Sequence, residues 1–371
     1  MKKKQSEPLF HIVKRDVMPW YKSWGIRAIA IVVALIVCAI ITTITTGLNP
    51  FSVYASFVQG AFGSTRKAWI TFQNMSILLI ISLALTPAFK MRFWNIGGEG
   101  QVLVGALATA ACMITLGDKV PNAVLILIMT VSALAAGAVW GLIPALFKAK
   151  WNTNETLSTL MMNYIATQLV AFFTVVWEVP KGSFTVGIIN QATNAGWLPK
   201  LFGSKYLLPI VIALVATAAM YVYLKYSKHG YEIAVVGESE KTAQYVGMKT
   251  GKIIIRTMIL SGGLCGLAGL LLVGGINHTI TTTINSGQGF TAVMVSWLAK
   301  FNPITMIFTS FLIIFLERGA GEISTAFGLN QSFADILTGI ILFFIIGCEF
   351  FITYKIVLRK KNKSENSKET K

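Results

Sequence analysis

NIGGEGQVLVGA, Asn95–Ala106, sets Gly97, Gly98 and Gly100 around an acid, between two amides and against the start of an apolar run. A turn of this kind has two readings. Either it cradles a phosphate at a helix N-terminus, which makes the fold a nucleotide-binding α/β domain, or it bends the chain inside a membrane protein. The spacing rules out the first. A dinucleotide fingerprint needs GxGxxG between a strand and a helix, but after Gly98 and Gly100 the third glycine position is Leu103. A Walker A loop needs GxxxxGK followed by Ser or Thr. The nearest stretch, GMKTGKI from Gly247, is one residue short between its glycines and has Ile253 after the lysine.

Composition points the same way. The 371 residues are 54% hydrophobic and 13% charged, against about 25% charged in a soluble chain. The polar stretches are short and scattered, so none can bury a core of its own, and the chain reads as one all-α polytopic membrane domain. The net charge of +17 does not indicate nucleic acid, because Lys and Arg sit between apolar runs and at both ends, where the positive-inside rule places them. Cys38, Cys112, Cys265 and Cys348 fall inside apolar runs with no CxxC spacing and read as packing residues. His11, His229 and His278 are far apart in sequence, and no metal-ligand spacing accompanies them. The basic, polar N-terminus is too long for a cleavable signal peptide and reads as leading into a retained anchor.

A bilayer core about 30 Å thick takes about 20 apolar residues as a helix, and helices satisfy their own backbone in lipid. Spans are expected over 26–45, 70–89, 101–116, 123–147, 157–177, 207–224, 254–273 and 333–354. Two weaker segments, Gly289–Lys300 and Pro303–Leu316, decide the count. Basic residues precede the first span (Lys14, Arg15, Lys22, Arg27) and follow the last (Lys355, Arg359, Lys360, Lys361), which places both ends in the cytoplasm. Even parity then requires the two weak segments to cross together or not at all: ten crossings, with eight as the alternative. The uncharged stretch INHTITTTINSGQG is expected to face outward. The resulting organisation is a basic cytoplasmic segment at 1–25, the membrane domain at 26–354 with a cytoplasmic loop at 225–256, and a disordered basic tail at 355–371.

No residue pattern supplies bond chemistry: there is no GxSxG, no HExxH and no GxGD pair, so neither a catalytic nor a metal site is expected. Asp335 and Glu349 lie near the two ends of the last span. An ionisable group in a span is a functional candidate; near an interface it also reaches water or a basic neighbour such as Lys355. The glycine-rich bend at Asn95–Gly100 keeps two readings: a break lining a substrate route, or a short cytoplasmic loop with a glycine cap. In the long polar interval Tyr226–Arg256, SEKTAQYVGM reads as a short helix. Ser239 is its N-cap, Glu240 lies in its first turn, Gly247 is its stop, and Ala243, Tyr245 and Val246 form an apolar side. Such a helix either docks on a partner or lies on the membrane surface.

Four stretches in order, WNIGGEGQVLVGA, NETLSTLMMNYIA (Asn154–Ala166), GYEIAVVGESEKTAQYVGM (Gly230–Met248) and GGLCGLAGL (Gly262–Leu270), resemble the permease subunits of ABC importers for nucleosides and simple sugars, relatives of the branched-chain amino acid and ribose permeases. The resemblance covers roughly 70–354. It implies a non-enzymatic subunit in a bacterial plasma membrane, paired with a second, similar permease. A cytoplasmic ABC ATPase, with two fused nucleotide-binding domains, would use ATP and Mg, and a substrate-binding lipoprotein would deliver the solute; this chain itself would bind no cofactor. It also implies that Gly230, Glu232, Val236, Gly237, Ala243, Tyr245 and Gly247 form the ATPase-docking loop. Ala234 departs from the usual arginine and Ser239 from asparagine, while Lys300 and Phe301 stand where small residues are more common. For a nucleoside, probed by aromatic faces and amides, the matching pathway residues are Trp94, Asn95, Gln101, Asn163, Phe290 and Trp297. The expected function is uptake of nucleosides, purines foremost. The alternatives are a simple sugar such as ribose or galactose, a channel or facilitator without ATP, and a membrane enzyme.

Overall fold

The computed structural model describes residues 10–15 and 18–358. A strand β1 (Phe10–Lys14) leads to helices α1 (Trp20–Thr46), α2 (Pro50–Phe62), α3 (Thr65–Lys90), α4 (Gly98–Leu116), α5 (Asn122–Trp151), α6 (Glu155–Val176) and α7 (Leu207–Tyr226). Two short helices follow, α8 (Lys228–Glu238) and α9 (Glu240–Tyr245). The chain ends with α10 (Thr250–Leu270, running on as a π-helical turn to Asn277), α11 (Gln288–Leu298), α12 (Pro303–Phe327), α13 (Gln331–Thr353) and a strand β2 (Tyr354–Leu358). The protein is thus the all-α polytopic membrane protein that its composition requires. Among the described residues, nine helices are long and apolar enough to cross a membrane.

The helices start where side chains cap them. Ser64 accepts from the Lys67 amide, Asn154 from Leu157, Ser227 from Gly230 and Asn330 from Ser332, each satisfying an amide that a helix start leaves without a partner.

The chain forms two compact units. One comprises 61–315 and the other the described residues before 61 and from 316 onward, the divisions falling inside α2 and α12. In the larger unit α3, α4 and α10 are the most enclosed spans. Their closeness rests on small residues. A Cβ on Gly262 would land on the Gly137 carbonyl, and one on Gly266 on the Ala133 carbonyl, while Gly269 meets Val102 of α4. The motif GGLCGLAGL is therefore a contact stripe through which α10 packs backbone to backbone with α5 and α4.

The two weak segments that decide the count of crossings differ. Pro303–Leu316 belongs to a full-length, 25-residue helix, whereas Gly289–Lys300 lies in the 11-residue α11, about 16 Å long. The preceding segment supplies the missing length. His278 stacks on Trp197 at one end of the unit, Asn285 and the Gly289 amide bond to Glu99 within it, and Trp297 reaches Trp94 at the opposite end. The tenth traversal, from His278 to Leu298, is thus half irregular chain and half helix. Accordingly INHTITTTINSGQG is not an outward solvent loop: Ile280, Ile284 and Asn285 are buried. Irregular backbone at this depth is tolerated where protein, not lipid, surrounds it.

In the smaller unit α1 packs on α13, and β1 pairs antiparallel with β2, Phe10 opposite Leu358. The start of α1 and the end of α13 therefore lie at the same end. Glu349 is held by Arg27, whose Nε donates to it at 3.0 Å. Residues 355–358 of the expected disordered tail belong to the strand β2, and 359–371 lie outside the described residues.

Candidate functional site: a buried bend and a clamped loop

After α3 the chain turns at Met91–Gly97 and re-enters the bundle as α4. Asn95 is fully enclosed. Its Nδ2 donates to Ser261 Oγ at 3.1 Å, and its Oδ1 accepts from the Gly97 amide at 3.0 Å and from Gln101 Nε2 at 3.3 Å. Asn163 of α6 closes the other side, donating to the Ile96 carbonyl at 2.9 Å and accepting from the Gly100 amide at 2.8 Å. The glycine at position 100 is required by this contact, because its Cβ would sit 2.8 Å from Asn163 Oδ1 and 3.0 Å from Asn163 Cα. NIGGEG is therefore a break buried in protein and not a solvent loop.

Glu99 shares the first turn of α4 with these residues. Its Oε2 accepts from Asn285 Nδ2 at 2.7 Å and from the Gly289 amide at 2.8 Å. The carboxylate thus caps the N-terminus of α11 from another helix, where the helix dipole favours negative charge. It ties the two broken elements of the bundle together. Glu99 is not among the pathway residues expected from the sequence, although an acid at the start of a span is a sufficient signal.

The six proposed pathway residues divide sharply. Asn95, Gln101 and Asn163 are buried and occupied by internal hydrogen bonds. Trp94, Phe290 and Trp297 are each close to half exposed. Trp94 and Trp297 stack with centroids 5.4 Å apart, and Phe89 and Phe301 complete an aromatic cluster around them. Phe290 and Trp297, seven apart on α11, share its uncovered face.

The loop at 225–256 contains two helices, where the sequence indicates one. α9 starts at Ser239, whose Oγ accepts from the Thr242 amide at 3.2 Å, and the chain leaves it through Gly247 at φ +81°. α8, ahead of it, went unread. Its Gly230 lies against the carbonyls of Tyr223 and Leu224, and a Cβ on Gly237 would land on the Lys90 carbonyl at the end of α3. Glu232 accepts from Arg256 of α10 at 2.8 Å, and this guanidinium holds its carboxyl below the usual range. Val236 and Ala243 are buried, whereas Tyr245 is 92% exposed and Val246 is exposed beside it. The expected apolar side of α9 is accordingly split, with Ala243 turned inward and Tyr245 outward. A cleft of about 230 Å³ lies alongside, between Arg92, Lys148, Glu155, Gly237 and Glu240.

At the opposite end, Trp197 lies flat on His278 with centroids 3.8 Å apart. The 177–206 loop is strapped there by Asn190, which donates to the Met113 carbonyl at 2.9 Å, and by the Leu198 amide on the Gly274 carbonyl.

A bundle of spanning helices interrupted by two buried breaks, with a rigid loop braced across one end, is the construction of a membrane transport subunit. Comparison with known proteins agrees. Residues 69–346 match the family model "Branched-chain amino acid transport system / permease component", and the chain belongs to that family. It is a multi-pass plasma-membrane permease, a subunit for transport and not for catalysis. It is 25% identical to a glucose ABC transporter permease protein of Haloferax volcanii, over 92% of each chain. It is 29% identical to a guanosine ABC transporter permease protein of Bacillus subtilis, over 85% of this chain and 91% of that one. A nucleoside ABC transporter permease protein of Lactococcus lactis is 27% identical over 92% of this chain and 95% of its own.

Proposed function

We propose that this chain forms half of the translocation pathway of an ATP-driven ABC importer for nucleosides, purines foremost. The observation that carries the coupling half of this reading is the bracing of α8 and α9. Gly237 sits on the end of α3, Glu232 is ion-paired to α10, and Tyr245 is left projecting. A loop so fixed transmits force to spanning helices, which a passive facilitator does not need. The energy source is a cytoplasmic ATPase with two fused nucleotide-binding domains, using ATP and Mg. A second, similar permease completes the pathway, and an external binding lipoprotein delivers the solute. Coupling requires that ATP favour one state of the pair over the other, so this chain provides a two-state element and no bond chemistry. The loop at 225–256 and both termini then face the cytoplasm, and the 177–206 loop faces outward.

The nucleoside assignment rests on the guanosine and nucleoside permeases among its relatives and on the exposed faces of Trp94, Phe290 and Trp297, which suit a flat base. A simple sugar is the second reading, favoured by the glucose permease relative. Uptake of radiolabelled guanosine in cells expressing the complete system, competed with ribose, galactose or unlabelled nucleosides, separates them. Guanosine uptake competed by nucleosides alone supports the assignment, whereas absence of guanosine uptake, or its competition by ribose or galactose as strongly as by nucleosides, overturns it.

A further inference from the structure

The smaller unit carries an apolar groove of about 420 Å³ between α1 and α13, lined by Ile26, Ile29, Ala30 and Val33 on one side and by Phe344 and Gly347 among others on the other. The α1 residues follow helical spacing, so they form one stripe. Lys22, one turn before Ile26, continues that stripe to the end of the helix and is exposed. At this end the β1–β2 pairing gathers further positive charge. Arg15 donates its backbone amide to the Thr353 carbonyl at 2.9 Å, Val13 lies opposite Lys355, and both Arg15 and Lys355 are exposed. Arg27 is set apart from this group, because its guanidinium is engaged by Glu349.

An apolar groove whose α1 wall runs on to Lys22, at the end of the unit where the β1–β2 pair carries Arg15 and Lys355, suits a phospholipid with a net negative head group. We propose that this groove is a site for one anionic phospholipid, its acyl chain between α1 and α13 and its head group held by Arg15, Lys22 and Lys355. Charge complementarity selects the occupant. A zwitterionic lipid fills the apolar groove equally well but brings no net negative charge to the three cations. The site is independent of the transported solute.

The test is native mass spectrometry of the full-length protein released from nanodiscs made with phosphatidylglycerol, phosphatidylcholine or an equal mixture. From the mixture, the protein is expected to retain phosphatidylglycerol over phosphatidylcholine by roughly tenfold or more. The triple variant Arg15→Gln, Lys22→Gln and Lys355→Gln, all at exposed positions, should lose the preference. Gly347→Leu provides the second arm. A Cβ there meets nothing within 4 Å, so the backbone admits a side chain, and a leucine projecting into the groove should reduce retained lipid while leaving the cations in place. Equal retention of the two lipids by the unaltered protein, or an unchanged preference in the triple variant, would overturn the proposal. Undiminished retention by Gly347→Leu would overturn the placement of the acyl chain.

Discussion

Asn95 and Trp297 show what one residue does in this protein and how far its role is readable in advance. Both have the chemistry to meet a base, one through an amide and the other through a ring. In the fold Asn95 is enclosed and its amide spans Ser261, Gln101 and Gly97, whereas Trp297 shows nearly half its surface. Side-chain type was legible, but direction was not: in spans that are apolar all round, periodicity does not mark an inner face. Two opposite outcomes are expected. Asn95→Ala leaves buried partners unsatisfied and should destabilise the protein by about 1–3 kcal/mol, lowering the melting temperature in detergent while leaving KM for guanosine near its original value. Trp297→Ala should raise KM roughly fivefold or more, the loss of one stacking face, and lower melting only by the loss of its ring contacts to Trp94, Phe89 and Phe301. A raised KM with unchanged melting for Asn95→Ala would return that residue to the solute's path.

The elements α8, α9 and α11 carry the coupling argument. Ser239 and Gly247 marked α9 correctly because capping chemistry is local. α8 has a local cap too, Ser227, but the contacts that brace it, from Lys90 and Arg256, come from elsewhere in the chain and have no local signature. The break before α11 was partly visible in the shortness of GFTAVMVSWLAK, but its union with Glu99 spans 190 positions and has no local signature. Gly237→Val should push α8 off the end of α3, abolishing ATP-driven uptake while the two permeases still co-purify; normal uptake would remove α8 from the coupling route. Cysteine labelling tests the layout of the elements. A cysteine at Lys241 should react only from the cytoplasm and one at Ser183 only from outside. A cysteine at Asn285, which is 1% exposed, should resist labelling from either side. Reaction at Lys241 from outside would invert the molecule.

For the molecule as a whole, composition sufficed for the class and hydropathy for nearly every span, since a bilayer leaves a chain few alternatives to helices. The glycine stripe of α10 was legible as a motif, though its purpose, backbone contact with α5 and α4, required the third dimension. Gly262→Leu is expected to prevent assembly of the bundle, read as loss of the monodisperse species in size-exclusion chromatography, because the added side chain meets backbone that has no room to retreat. The central claim is that this bundle moves a nucleoside only when an ATPase drives it. Its most direct test reconstitutes the chain with its partner permease, the ATPase and the binding protein in liposomes, and measures radiolabelled guanosine on the binding-protein side and in the ATPase compartment. Accumulation against a gradient that requires ATP and ceases when the ATPase is left out is the predicted result, and equilibration at the same rate without ATP would contradict the account.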